Sequence, residues 1–89
     1  MKYLFLHQKF PGQYRHIIKF LAQQKGNQIV ALGIEELHEE IPKNIQYLRY
    51  GINRGNTEDI HQWLLDIDSK IIRAEACTKE ANKLQKEGF

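Results

Sequence analysis

An α/β fold built on a short parallel sheet is what the sequence predicts, on three observations. The apolar segments Tyr3-Leu4-Phe5-Leu6 and Ile29-Val30-Ala31-Leu32 are continuous rather than alternating, as strands covered on both faces require. Between them Tyr14, Ile17, Ile18, Leu21 and Ala22 recur at the spacing of one helix face. A weaker strand and a second, long helical stretch follow. The order β-α-β-β-α describes a partial Rossmann-like three-stranded parallel sheet with a long C-terminal helix.

The first strand, Tyr3 to Leu6, is expected to be central. It ends at Phe10-Pro11-Gly12, where proline fixes one backbone angle and glycine opens conformations closed to other residues. The helix that follows turns Arg15, His16, Lys19, Gln23 and Gln24 away from its apolar face, and Lys25-Gly26 is placed to end it with a left-handed cap. The second strand ends at Gly33. Residues 34–44, with Glu35, Glu36, Glu39, Glu40 and Pro42, form an acidic connection with room for one helical turn. Ile45 to Tyr50 supplies a third strand whose Gln46 and Arg49 suit an edge. After the polar loop Gly51 to Asn56, either Asn56 or Thr57 can cap a helix carrying Glu58 and Asp59 in its first turn. Its apolar stripe is Ile60, Leu64, Ile67, Ile71 and Ala74, widened by Trp63 and Ile72. Helical character persists to about Glu87, where Gly88 is a stop.

Composition narrows the function classes. Hydrophobic residues make up 42% and charged residues 27% of the 89, which is ordinary for a folded globular chain and unlike a disordered one. The net charge of +2 comes from 13 basic and 11 acidic residues of interspersed sign, so no basic stripe points to nucleic acid. Cys77 is alone, which excludes an internal disulfide and favours a reducing compartment. The N-terminal apolar run is too short for a signal peptide or a membrane span, so a cytoplasmic location is expected. The basic face of the first helix would be the only membrane-facing feature, and nothing else supports membrane association.

Open parallel sheets bind ligands beyond the carboxyl ends of their strands, which makes His7 to Gln13 the favoured place for a site. Amides at the start of the following helix, with Arg15, could hold an anion such as a phosphate. His7 could hydrogen-bond a sugar hydroxyl or a phosphate, or fasten the loop to its own backbone. Neither the three-glycine dinucleotide fingerprint nor a phosphate-loop pattern is present, and the second strand does not end on the acidic residue that ribose recognition needs. His16, His38 and His61 lack metal-ligand spacing, and Glu39-Glu40 beside His38 reads as a solvated acidic loop. Cys77 and Trp63 are expected to pack in the core.

The string Tyr3-Leu4-Phe5-Leu6-His7-Gln8-Lys9-Phe10-Pro11-Gly12-Gln13-Tyr14-Arg15-His16 resembles the N-terminus of family 4 glycosyltransferases that open with a strand and His-Gln-x-Phe-Pro-Gly-Gln-aromatic-Arg-His. The resemblance continues through Lys25-Gly26, Ile29 to Leu32, Tyr47 to Tyr50 and Lys86 to Phe89. The family more often has Asn in place of Lys9 and Phe in place of Tyr14. The resemblance implies a GT-B enzyme, in which two Rossmann-like domains face each other and a sugar passes from a nucleotide-sugar donor to an acceptor, with retention and without a metal or other cofactor. It assigns residues 1–89 to an incomplete N-terminal, acceptor-side domain, with His7, Gln8, Pro11, Gly12, Gln13 and Arg15 as the substrate-binding loop. No catalytic residue falls within the chain, which is expected to be inactive by itself. A noncatalytic interaction module that forms homo-oligomers is the competing expectation, resting on an open edge of the first strand and on the apolar surface of an overlong helix.

Overall fold

The computed structural model describes all 89 residues, Met1–Phe89. Strand β1 (Lys2–Leu6) leads through a single 3-10 turn (Gly12–Tyr14) into helix α1 (Arg15–Ala22). Strands β2 (Gln28–Gly33) and β3 (Ile45–Arg49) follow, and a second 3-10 turn (Gln62–Leu64) opens helix α2 (Leu65–Lys86). This is the expected α/β class with a three-stranded parallel sheet. The chain divides into two units, Met1–Arg49 and Tyr50–Phe89.

In the first unit β2 is the middle strand and pairs in parallel with both neighbours, Lys2↔Gln28 through Leu6↔Leu32 on one side and Ile29↔Ile45 through Gly33↔Arg49 on the other. The expectation of a central first strand is therefore corrected: β1 is an edge of this sheet, and Leu4 and Leu6 are exposed. The continuous apolar pattern that suggested centrality does describe β2, whose residues Ile29 to Gly33 are all buried. Side chains alternate across the pleat, so Tyr3, Phe5, Ile29, Ala31, Ile45 and Tyr47 share one face. That face joins Ile18 and Leu21 of α1 and Phe10 of the loop in one hydrophobic core.

Helix α1 buries Ile18 and Leu21 but leaves Ile17 half-exposed, so its buried stripe is narrower than the spacing suggests. It also ends earlier than expected. Asn27 Nδ2 donates to the Leu21 carbonyl at 2.9 Å and Asn44 Nδ2 to that of Ala22 at 2.8 Å. Side-chain amides thus satisfy the last carbonyls, and Gly26 (φ +85°) serves a separate turn beyond the helix. The acidic connection forms bends without the helical turn allowed for it.

In the second unit the helix starts later than the Asn56–Thr57 cap would place it. Those two residues bind Asp68 instead: Thr57 N–H and Oγ1–H each donate to its carboxylate at 2.7 Å, and Asn56 Nδ2 donates at 3.1 Å. The N-terminal turn is capped by His61, whose Nδ1 accepts from Trp63 N–H at 3.1 Å. At the far end Gly88 (φ +97°) does stop α2. Phe89 N–H donates to the Leu84 carbonyl at 3.0 Å and Gly88 N–H to that of Gln85 at 3.2 Å, the paired bonds of a Schellman motif.

Most of the stripe expected to face the core does not, Ile72 being its buried member. Ile72 and Leu84 are the buried residues of α2, and half-buried Ser69, Ala76 and Ala81 complete their side. Trp63 is 81% exposed, Ile67 56% and Ile71 60%, so the expectation of a core Trp63 is corrected. The physical reason is the Asp68 anchor. Drawing the loop onto Asp68 and Ser69 turns the 68-72-76 side of α2 inward and the 63-67-71 side out. Cys77 is half-buried rather than fully packed away.

Candidate functional site

The ladder between β1 and β2 continues past the strand itself. His7 N–H donates to the Leu32 carbonyl at 3.1 Å, and the Gln8 carbonyl accepts from both Ile34 and Glu35 N–H at 3.1 Å. These bonds fix the start of the loop Lys9–Gly12 against the start of the acidic connection. Gly33 permits that approach, because a Cβ there would collide with the Tyr47 hydroxyl and lie 2.9 Å from the His7 carbonyl. Tyr47 O–H donates to the Glu35 carbonyl, and Arg49 Nε donates to that of Ile34 at 3.0 Å. Burial pushes the Tyr47 phenol above its ordinary range, against the opposing charge of Arg49.

The loop then folds over His7. The imidazole Nδ1 accepts from Lys9 N–H at 3.0 Å, so the neutral ring carries its hydrogen on Nε2. The Phe10–Pro11 peptide is cis, and Phe10 and Pro11 are buried. Phe10 stacks on Tyr47 with ring centroids 5.6 Å apart. Gly12, at φ +48°, sits against the His7 ring, and a Cβ there would be 2.5 Å from both Cε1 and Nε2. Tyr14 N–H donates to the Pro11 carbonyl at 2.8 Å and starts the 3-10 turn, which leaves the amides of Gly12 and Gln13 without a partner inside it.

A groove of about 190 Å³ opens on this loop, lined by Lys9, Phe10, Pro11, Gly12, Arg15, His38 and Glu39. Of the residues singled out from sequence, Pro11, Gly12 and Arg15 line it. His7 and Gln8 instead build the loop from behind, and Gln13 is exposed beside it. His38 and Glu39, read from the sequence as part of a solvated acidic loop, are exposed and also line the groove. Arg15 Nε donates to both Glu39 carboxylate oxygens, at 2.8 and 3.1 Å, a single N–H shared between two acceptors. Both terminal guanidinium nitrogens remain outside that pairing. Lys9 reaches Glu35 at 4.0 Å and Arg49 reaches Glu36 at 3.7 Å, so three of the four glutamates in the connection face the bases around the loop. That match of charge was the available signal.

Chemically the groove offers two cations, one carboxylate, an imidazole and an open glycine backbone. No three histidine, cysteine or carboxylate side chains gather into a group that could hold a metal. No helix is long and apolar enough to cross a membrane.

No curated protein and no solved structure matches the chain. The glycosyl transferase family 4 group matches residues 25–89, which take in β2, the acidic connection with His38 and Glu39, β3 and α2, and begin after the loop. With that span of an 89-residue chain matched, the protein belongs to the glycosyl transferase family 4 group.

Proposed function

We propose that the chain is the acceptor-side, N-terminal part of a glycosyltransferase that moves a sugar from a nucleotide-sugar donor to an acceptor. His7, Gln8, Pro11, Gly12, Gln13 and Arg15 form its cleft loop. The observation that carries this is the groove at the carboxyl end of β1, where parallel sheets present ligands, in a chain of this family. Each residue has a task. His7 and Gln8 hold the loop against β2. Pro11 and Gly12 shape the turn and keep it free of side-chain bulk. Arg15, held by one N–H on Glu39, keeps two NH2 groups for a phosphate oxygen. In this reading the donor is gripped by a second domain in a GT-B arrangement, and these 89 residues bind without turning over.

The test is an amide NMR titration of the chain with nucleotide sugars, run beside a transfer assay. Saturable shifts at Gly12 and Gln13 with no turnover are expected. Undisturbed Gly12 and Gln13 signals would remove the binding role, and turnover above a heat-killed control would remove the division of labour.

One observation favours a second reading, a self-associating interaction module. Trp63 and Leu64 of the 3-10 turn and Ile67 and Ile71 of α2 are exposed apolar side chains spaced as one helix face. Light scattering decides it: a concentration-dependent dimer that Ile71→Glu disperses supports the module, and a strictly monomeric folded chain at high concentration excludes it.

A further inference from the structure

The second unit contains a groove of about 210 Å³ whose polar lining is Arg54, Asn56, Ser69 and Arg73, over the apolar floor of Ile52 and Ile72. It carries two cations and no carboxylate. The chain has four arginines, and the other two, Arg15 and Arg49, each meet a glutamate. On α2 itself Lys70 pairs with Asp66 at 3.0 Å and Lys79 with Glu75 at 3.3 Å, both one helical turn apart. Arg73 has no such neighbour: positions 69, 70, 76 and 77 are Ser, Lys, Ala and Cys. Arg73 is half-buried as a residue, and its guanidinium lacks a carboxylate partner.

The loop facing it is fixed before any ligand arrives. Asp68 directs its oxygens to Thr57 and Asn56, and this holds its carboxyl well below the usual range. Arg54 feels that charge but donates elsewhere, from Nη2 to Thr57 Oγ1 and from Nε to the Gly55 carbonyl, both at 3.3 Å. Asn56 Nδ2 donates to Ser69 Oγ at 2.7 Å, which leaves the Ser69 hydroxyl hydrogen free to donate.

We propose that this groove binds a phosphate group, with the guanidinium fork of Arg73 and the remaining terminal N–H groups of Arg54 on its oxygens and the Ser69 hydroxyl as a third donor. The two guanidinium charges, that of Arg54 partly offset by Asp68, attract a phosphate anion, and the planar Arg73 fork matches its oxygen geometry. The site is independent of the Lys9–Gly12 loop, and it stands whether or not that loop binds a nucleotide sugar.

The experiment is an amide NMR titration of the whole chain with inorganic phosphate, with acetate as the control anion, on the wild type and on Arg73→Gln, Arg54→Gln and Lys79→Gln. Saturable shifts at Arg54, Gly55 and Ser69 are expected with phosphate. Each arginine substitution should weaken binding about tenfold, while Lys79→Gln leaves it unchanged. Circular dichroism confirms that each variant is folded, and Arg73→Lys, which keeps the charge but not the fork, should fall between. Co-sedimentation with phosphatidylcholine vesicles containing phosphatidic acid identifies the source. Capture that Arg73→Gln abolishes assigns a lipid headgroup, and phosphate binding without capture assigns a free phosphorylated compound. Equal response to acetate, equal weakening by Lys79→Gln, or no saturable shift overturns the proposal.

Discussion

Replacing Gly12 by alanine tests how the loop is built. Gly12 lies at φ +48°, where an L side chain costs about 1–2 kcal/mol. Its Cβ would also enter the His7 ring, at 2.5 Å from Cε1 and Nε2 and 2.9 Å from Nδ1. That ring cannot swing away without releasing the Lys9 N–H held by Nδ1 at 3.0 Å, a bond worth about 0.5–1.5 kcal/mol. Gly12→Ala should therefore destabilise the chain by about 2–3 kcal/mol. For a domain of this size that lowers the Tm by roughly 10–20 °C. Urea denaturation of the wild type, Gly12→Ala, His7→Ala and the double variant separates the two contributions. With the imidazole gone, Gly12→Ala should keep only its backbone cost, a coupling of about 1 kcal/mol. An identical cost in both backgrounds would show that the His7 ring does not pack on Gly12, and a total below about 0.5 kcal/mol would refute the backbone conformation itself.

Glu39→Gln should change stability by less than about 1 kcal/mol, since both partners are substantially exposed, yet raise phosphate affinity at the Lys9–Gly12 loop by up to about fivefold, measured by calorimetry. The Asp68 carboxyl is held below its ordinary range by the Thr57 and Asn56 donors, so its stabilising effect is full above that range and lost as pH falls through the folded value. Asp68→Asn should accordingly flatten the acid limb of stability against pH in denaturant melts, and an unchanged limb would argue against the anchor. Burial pushes the Cys77 thiol up while a hydrogen bond with Tyr50 opposes the shift, so Tyr50→Phe should slow iodoacetamide alkylation at pH 8 a few-fold, and faster alkylation would contradict that hydrogen bond.

Local patterns were legible where one interaction dominates. The run Ile29 to Leu32 could only be a strand buried on both sides, and β2 is that strand. Gly88 follows the last helical residues, and at φ +97° it closes a Schellman motif. Errors arose where two local signals competed and a distant contact chose between them. Asn56 and Thr57 have good cap chemistry, but Asp68 offers them a charged acceptor, and charge-assisted bonds are stronger than the neutral bonds of a cap. Once that contact forms, the helix begins later and its face is set. The large apolar residues at 63, 67 and 71 then lie outside although their spacing is that of a core stripe. Periodicity reports that a face is apolar, and the partner of that face is a separate fact.

The loop shows the same limit at closer range. A strand ending just before His7 and a Pro11-Gly12 turn can be located from sequence, but a string of residues does not reveal which side chains face the groove and which hold the backbone. His7, the most chemically suggestive residue, accepts a bond from Lys9 and packs on Gly12, so its first task is to shape the loop. Arg15 does line the groove, and its charge is already met by Glu39, 24 residues away in sequence. Glu39 holds the guanidinium by Nε and leaves both terminal NH2 groups open, so it orients the cation and partly offsets its charge without filling the fork. The offset is small because the pair is solvated, and the Glu39→Gln measurement reads it directly.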